Sequence, residues 1–241
     1  MSPTEPKNLG ALYLIPNLLG EASIDSSLPT LIAAVVARLS CFIVEDEKSA
    51  RRLIKQLSPG TDLRALSMQR LNKHTQESEL ALLTQPLLAG IDIGIISEAG
   101  CPAIADPGAE IVRLAHTLGV RVHPLVGPCS MTLALMASGF NGQRWRFAGY
   151  LPMEAPQRKE TLLGLERDLY NNGETQIVMD TPYRNQRLLE DILTHCRADT
   201  MLCVAAALTT STELIQVHSV TEWRRRAATI GKTPALFLLG T

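Results

Sequence analysis

The sequence predicts an α/β protein in two halves, a mostly parallel sheet first and a mixed sheet second. Three observations predict it. From residue 11 to residue 126, short apolar runs alternate with amphipathic stretches of helical length, and parallel strands need such crossover helices between them. After residue 200 the alternation stops. There "TMLCVAAALT" and "TELIQVHSV" follow one another without a helix-sized spacer, which predicts an antiparallel hairpin. Between the two patterns stands "VGPCS", a Gly-Pro turn that ends one strand and starts a helix. The expected domains are therefore residues 1–126 and 127–241.

Taken in order, "ALYLIP" is a short apolar run stopped by Pro16, a buried-strand signal. "PTLIAAVVARL" has helical length and an apolar stripe, with Pro29 suited to the first turn. "CFIVED" is the second strand, and "EKSARRLIKQL" an amphipathic helix closed by "SPG". "DLRALSM" is read as the third strand. "ESELALLTQPLLAG" is a helix broken or kinked at Pro86 and ended by Gly90. "IDIGIIS", "AEIVRLAHTLG" and "VRVHPLVG" are strand, helix and strand. In the second half, "GPCSMTLALMASGF" turns into a helix, and "RWRFAGYLP", "QRKETLLGLERDLY", "TQIVMD" and "YRNQRLLEDILTHC" alternate strand and helix. The hairpin and "PALFLLG" complete the mixed sheet.

Composition excludes several classes. Apolar residues make up 46% and charged residues 20%, enough to bury a core and too apolar for a disordered chain. A net charge of −1 demands no large basic face, although local patches remain open. Five cysteines without a C-x-x-C pair point to a reducing compartment, and against a disulfide framework or a zinc knuckle. "MSPTEPKNLG" holds no apolar signal core, and no apolar run approaches a membrane span, so a soluble cytoplasmic protein is expected.

Common catalytic patterns are missing. The first strand runs into "PNLLGE" with a single Gly20, so neither G-x-G-x-x-G nor a P-loop is present. Cys101 and Ser130 are turn residues where a nucleophile can sit, but no histidine accompanies either in a recognisable pattern; a small packed turn cysteine is the plainer reading. Histidines 74, 116, 123, 195 and 218 are scattered, and no metal site is expected.

The most informative stretch is "SEAGCPAIADPG", residues 97–108, at the end of a buried strand. Gly100, Pro102, Pro107 and Gly108 make a stiff corner where ligands of open α/β sheets bind. Glycine lets a ligand approach the backbone, and proline removes the ordering cost. "GPCS", residues 127–130, is a second such corner.

"GALYLIP", "SEAGCPAIADPG", "VHPLVGPCS" and "FAGYLP", in this order and at these distances, resemble the tetrapyrrole methylase superfamily. Within it they resemble most the bacterial ribosomal RNA small subunit methyltransferase I branch. The resemblance implies a two-domain fold with S-adenosylmethionine in the cleft between the domains, and a homodimer. Pro16 matches the branch's first loop. Gly100, Cys101 and Pro102 match a G-D-P loop, with Ile104 and Asp106 following. Gly127 to Ser130 match a G-P-S-A turn, and Pro182, Tyr183 and Arg184 a P-H-R motif. By position, Ala206, Ala207, Pro234 and Ala235 join Pro16, Gly100, Cys101, Pro102, Ile104, Asp106, Ser130 and Tyr183 as implied cofactor-binding residues.

The polar motifs depart from the branch. "EDEK" stands for E-D-T-R and keeps Glu45 and Asp46. "NKHTQ" stands for N-E-H-N-E and keeps Asn72 and His74. "ALTTSTE" stands for E-L-T-K-x-x-E and keeps Leu208, Thr209 and Glu213. The resemblance implies methyl transfer, to RNA and specifically to a ribose 2′-hydroxyl of the small subunit. Glu45, Asp46 and His74 are the candidate bases for removing its proton. Tyr183 and Arg184 are candidates for substrate contact. RNA binding predicts local cation clusters, and "EKSARR", "QRWR", "QRK" and "WRRR" are the ones present. A same-fold methyltransferase for a small molecule such as a tetrapyrrole, and a cofactor-binding protein without catalysis, are the alternatives.

Overall fold

A computed structural model describes residues 8–72, 75–226 and 229–241. The chain divides into two compact units, one ending at Pro128 and the other beginning at Cys129.

The first unit begins with β1 (Leu12–Ile15), α1 (Ile24–Ser27), α2 (Leu31–Arg38), β2 (Cys41–Val44) and α3 (Glu47–Leu57). It continues with β3 (Ser67–Arg70), α4 (Glu77–Leu83), α5 (Gln85–Leu88), β4 (Ile93–Ile96), α6 (Ala109–Thr117) and β5 (Val122–Pro124). Its strands are all parallel in the order β3-β2-β4-β1-β5. A parallel sheet covered on both faces needs strands apolar on both faces, and "LYLI", "CFIV" and "IGII" are that. Tyr13, Ile15, Phe42 and Val44 pack with α2 and α3, while Leu12, Ile43, Ile93 and Ile95 pack with α4, α5 and α6. Each such aliphatic side chain contributes about 1.5–3 kcal/mol of burial. α3 buries Ala50, Leu53, Ile54 and Leu57, one helical stripe.

Three local expectations shift. Pro29 lies outside α2, one residue before the capping residue Thr30. The third strand is Ser67–Arg70 and not residues 62–68. Asp62 is the reason: its carbonyl and carboxylate accept the amides of Ala65 and Arg64, so this stretch turns instead of extending. Thr84 ends α4, and Pro86 lies in the first turn of α5, where its missing N–H costs nothing.

The second unit contains α7 (Ser130–Ser138), β6 (Trp145–Tyr150), α8 (Ala155–Asn172), β7 (Thr175–Met179) and α9 (Asn185–His195). β8 (Met201–Ala206), β9 (Leu214–Ser219), α10 (Val220–Arg226) and β10 (Ala235–Gly240) follow. The sheet order is β6-β7-β10-β8-β9; only β6 and β7 are parallel. The expected hairpin is β8–β9. Central β10 is buried along its whole length. Its outer neighbours pack with α8, α9 and α10 around Trp223, whose indole N–H donates to the Leu202 carbonyl. "WRRR" is thus half core: Trp223 anchors α10, and Arg224, Arg225 and Arg226 are exposed.

This pairing has one consequence for function. The carboxyl ends of β6, β7 and β8 and the amino ends of β9 and β10 share one edge of the second sheet. No helix among the described residues is long and apolar enough to cross a membrane.

Candidate functional site

In the first unit, the helices after β1 and after β4 lie on opposite faces. The two loops therefore cross at the carboxyl edge. Where they meet, the Asn17 N–H donates to the Gly100 carbonyl at 2.8 Å, and the Gly100 N–H to the Asn17 carbonyl at 3.2 Å. The Asn17 side chain, 6% exposed, locks the crossing. Its Nδ2 donates to the carbonyls of Ser97 (3.0 Å) and Glu98 (2.9 Å), and its Oδ1 accepts the Leu18 N–H at 2.8 Å. Sequence reasoning passed over Asn17 because only Pro16 matched the branch's loop; an asparagine right after a strand and a proline was the available signal.

Residues 97–108 form a sharply coiled corner. Gly100, Ala103, Ala105 and Gly108 all have positive φ, at 68°, 65°, 62° and 133°. For alanine that region is uncommon and strained. The amides of Ala103, Ile104 and Ala105 donate to no other backbone group among the described residues. Turns that alternate handedness in this way form concavities lined by N–H groups, suited to anionic or carbonyl-bearing ligands. At Gly100 a side chain would also crowd Leu19. Cys101 lies within 3.5 Å of the Pro128 carbonyl and 3.7 Å of the Gly127 carbonyl, so its thiol ties this corner to the next. Gly127 itself has no room for a side chain, since a Cβ there would lie 2.3 Å from Pro16.

The first unit thus gathers Pro16, Gly100, Cys101 and Pro102 into one tied cluster, while Ile104 is exposed at the tip of the corner and Asp106 is half-buried in it. Glu45 lies at the same edge. Its backbone N–H donates to the Ile96 carbonyl, and its carboxylate accepts the Glu98 N–H at 3.1 Å. Asp46 is the N-cap of α3 and accepts the Ser49 N–H at 2.7 Å. The third candidate base, His74, lies outside the described residues.

In the second unit Ala206, Ala207, Pro234 and Ala235 come together on the shared strand edge. Ala206 pairs with Ala235 across β8 and β10, and the Ala207 N–H donates to the Pro234 carbonyl at 3.0 Å. Ala207 and Thr209 have φ of 48° and 68°, the latter strained for a β-branched residue. Glu213 accepts the Thr209 N–H at 2.7 Å and holds this loop. Asn185, 0% exposed at the start of α9, donates Nδ2–H to the Thr233 carbonyl. Its Oδ1 and the Thr209 hydroxyl are both buried without a partner. Such atoms are costly unless a ligand or water completes them. Ser130 opens α7 and is half-buried. Tyr183 is 78% exposed, with Lys232 Nζ 5.2 Å from its ring centre.

Several expected contact residues serve the fold instead. Arg184 pairs with Asp180 at 3.0 Å and donates to the Leu151 carbonyl, which accounts for its guanidinium without substrate. Arg158 of "QRK" is not part of a surface cluster: it is buried, pairs with Asp191 and donates to the carbonyls of Pro152 and Met153. Cys196 and Cys203 have thiols pushed up to about 12 by burial, which leaves them unreactive at neutral pH. No cluster of histidine, cysteine and carboxylate groups suited to a metal occurs among the described residues.

Comparison with known proteins gives the chain its relatives. The family model of tetrapyrrole (corrin/porphyrin) methylases matches residues 28–223. The ribosomal RNA small subunit methyltransferase I of Vibrio cholerae is 30% identical over 213 residues, 88% of this chain and 70% of that protein. The Pseudomonas aeruginosa protein of that name is 30% identical over 183 residues, 76% of this chain and 61% of its own length. In Escherichia coli O157:H7 the identity is 28% over 213 residues. The crystal structure of the methyltransferase CobJ superposes with a TM-score of 0.64 at 16% identity, covering 96% of this chain and 94% of that one. The uroporphyrin-III-C-methyltransferase of Thermus thermophilus gives 0.55 at 17% identity, covering 96% and 92%. At such identities these two structures establish the fold.

Proposed function

The chain belongs to the tetrapyrrole methylases and is a methyltransferase, and from that premise we propose that it moves a methyl group from S-adenosylmethionine to a ribose 2′-hydroxyl of small-subunit ribosomal RNA. The observation that carries the RNA substrate is the 30% identity over 213 residues to a protein named ribosomal RNA small subunit methyltransferase I.

The residues present fit the donor. Three neighbouring amides, those of Ala103, Ile104 and Ala105, donate to no other backbone group among the described residues and are available to a ligand in this reading. In the second unit, Asn185 Oδ1 and the Thr209 hydroxyl are buried polar atoms awaiting partners. In this reading Pro16, Gly100, Cys101, Pro102 and Asp106 shape the first set, and Ala206, Ala207, Pro234 and Ala235 shape the second. Ile104 and Ser130 complete them by position.

When bound, the donor supplies an electrophilic methyl carbon. The chain's own work is alignment, which is worth on the order of 7–11 kcal/mol in favourable cases. Glu45 is the base best placed to take the hydroxyl proton, because an amide holds one carboxylate oxygen and orients the other. Asp46 is committed to capping α3. The protein acts in the cytoplasm as a homodimer in this reading.

Labelled-methyl transfer to small ribosomal subunits from a strain lacking the gene tests the reaction. Alkali-stable label in the RNA, lost in Glu45→Gln, is the expected result. Label on an added tetrapyrrole and none on RNA would replace the substrate.

A further inference from the structure

The cations of the second unit are distributed unevenly. Arg144 donates to the Asn172 carbonyl, Arg146 pairs with Asp168, and Arg224 donates to the carbonyls of Leu193 and Cys196. Together with buried Arg158 and Arg184, these cations are already engaged by the fold. By contrast, Arg187, Arg225, Arg226 and Lys232, like Lys159 and Arg167 of α8, are exposed and make no ion pair among the described residues.

Two of the first four stand near the end of α9 and two near its start. Arg224 sets α10 beside the last turn of α9. Further on, the Ile230 N–H donates to Gln186 Oε1, Lys232 lies over the Tyr183 ring, and the Thr233 carbonyl accepts from Asn185. Residues 230–233 therefore lie against the start of α9. Arg225 and Arg226 stand near one end, Arg187 on the first turn of α9, and Lys232 with Tyr183 at the other end. α9 has 11 residues, so its ends are roughly 16 Å apart. Of the carboxylates beside it, Asp191 is neutralised by Arg158, while Glu190 and Glu222 accept from the neutral Gln186 and Ser219 and leave the four cations in excess by two. Tyr183 is 78% exposed, an unusual position for an aromatic ring that the core does not use.

We propose that this α9–α10 face is an RNA-docking strip, on which Arg225, Arg226, Arg187 and Lys232 follow the phosphates and Tyr183 stacks a base. The inference rests on the RNA reading above and gives it a surface. Cations near both ends of a helix, with an exposed ring at one of them, are what single-stranded nucleic acid requires, since phosphates supply affinity and every base has a face to stack. The strip ends beside Asn185, Thr233 and Pro234, the edge assigned to the donor. Tyr183 thereby passes from the donor to the nucleic acid.

Titration of the intact protein with small-subunit ribosomal RNA at about 50 to about 200 mM salt tests the strip. The variant Arg187→Ala/Arg225→Ala/Arg226→Ala is expected to lose affinity at least about tenfold, with the salt slope falling by about 2. The corresponding triple Arg→Lys variant should keep the slope, and S-adenosylmethionine affinity should be the same in all three proteins. Tyr183→Ala should lose about tenfold with the slope intact. Unchanged RNA affinity and slope in the alanine triple would overturn the strip, as would a wild type that binds anionic phosphatidylserine vesicles and no RNA. Salt-dependent RNA binding that the triple loses, without methyl transfer to that RNA, would uphold the strip and remove the proposed reaction instead.

Discussion

The corner of residues 97–108 and the strand edge of the second unit offer a ligand opposite things. The first is almost wholly main chain: coiled backbone, three amides that pair with no other backbone group among the described residues, and a crossing locked by Asn17. The second offers side chains: a buried amide oxygen, a buried hydroxyl, exposed cations and an exposed ring. A rigid backbone corner suits a small ligand bound the same way each time. Side chains on helices suit a partner that has to be selected. In the proposed function the first region serves the donor, and the cations of the second serve the substrate.

Breaking the first region should have the largest effect. Asn17→Ala leaves the Ser97 and Glu98 carbonyls and the Leu18 amide without their partner. A loss of about 3 kcal/mol in urea unfolding is expected, with donor affinity down more than tenfold by calorimetry. A variant as stable and as tight-binding as wild type would show that the crossing is not what shapes the corner.

The second region should respond in binding more than in stability. Asn185→Leu removes one hydrogen bond and, with it, an amide oxygen that has no partner. Its unfolding free energy should stay within about 1 kcal/mol of wild type, while donor affinity falls about tenfold. Equal donor affinity would mean that the buried oxygen is not reserved for a ligand.

The smallest effect concerns the anchor of α10. The Ser219 N–H and hydroxyl hold the exposed Glu222 carboxyl below its ordinary value. A depressed carboxyl contributes stability that is full above its unfolded value and fades as pH falls through the folded one. Ser219→Ala should raise the Glu222 value toward that of a free glutamate in an NMR titration and leave stability at neutral pH nearly unchanged.

The legible parts of the molecule were those written in backbone chemistry. Glycine and proline mark the corners because few other residues accept their dihedrals, and apolar periodicity marks the strands because both sheet faces are covered. Ala206 and Ala235 were singled out only by family position, since a small residue in a strand carries no signal of its own. Long-range ties were not legible. Asn17 and Asn185 act on carbonyls that only the fold brings near, 80 and 48 residues away. Arg158 read as one of a surface pair with Lys159, yet the helix turns one side chain into the core and the other out. Asp62 turned a stretch that periodicity extended, because its carboxylate competes for the amides a strand would pair.

The most direct measurement is amide NMR of the wild-type protein titrated with S-adenosylmethionine. The account predicts that the amides of Ala103, Ile104 and Ala105 shift together at saturation and gain protection from solvent exchange. Saturable binding with those three signals unmoved would contradict it.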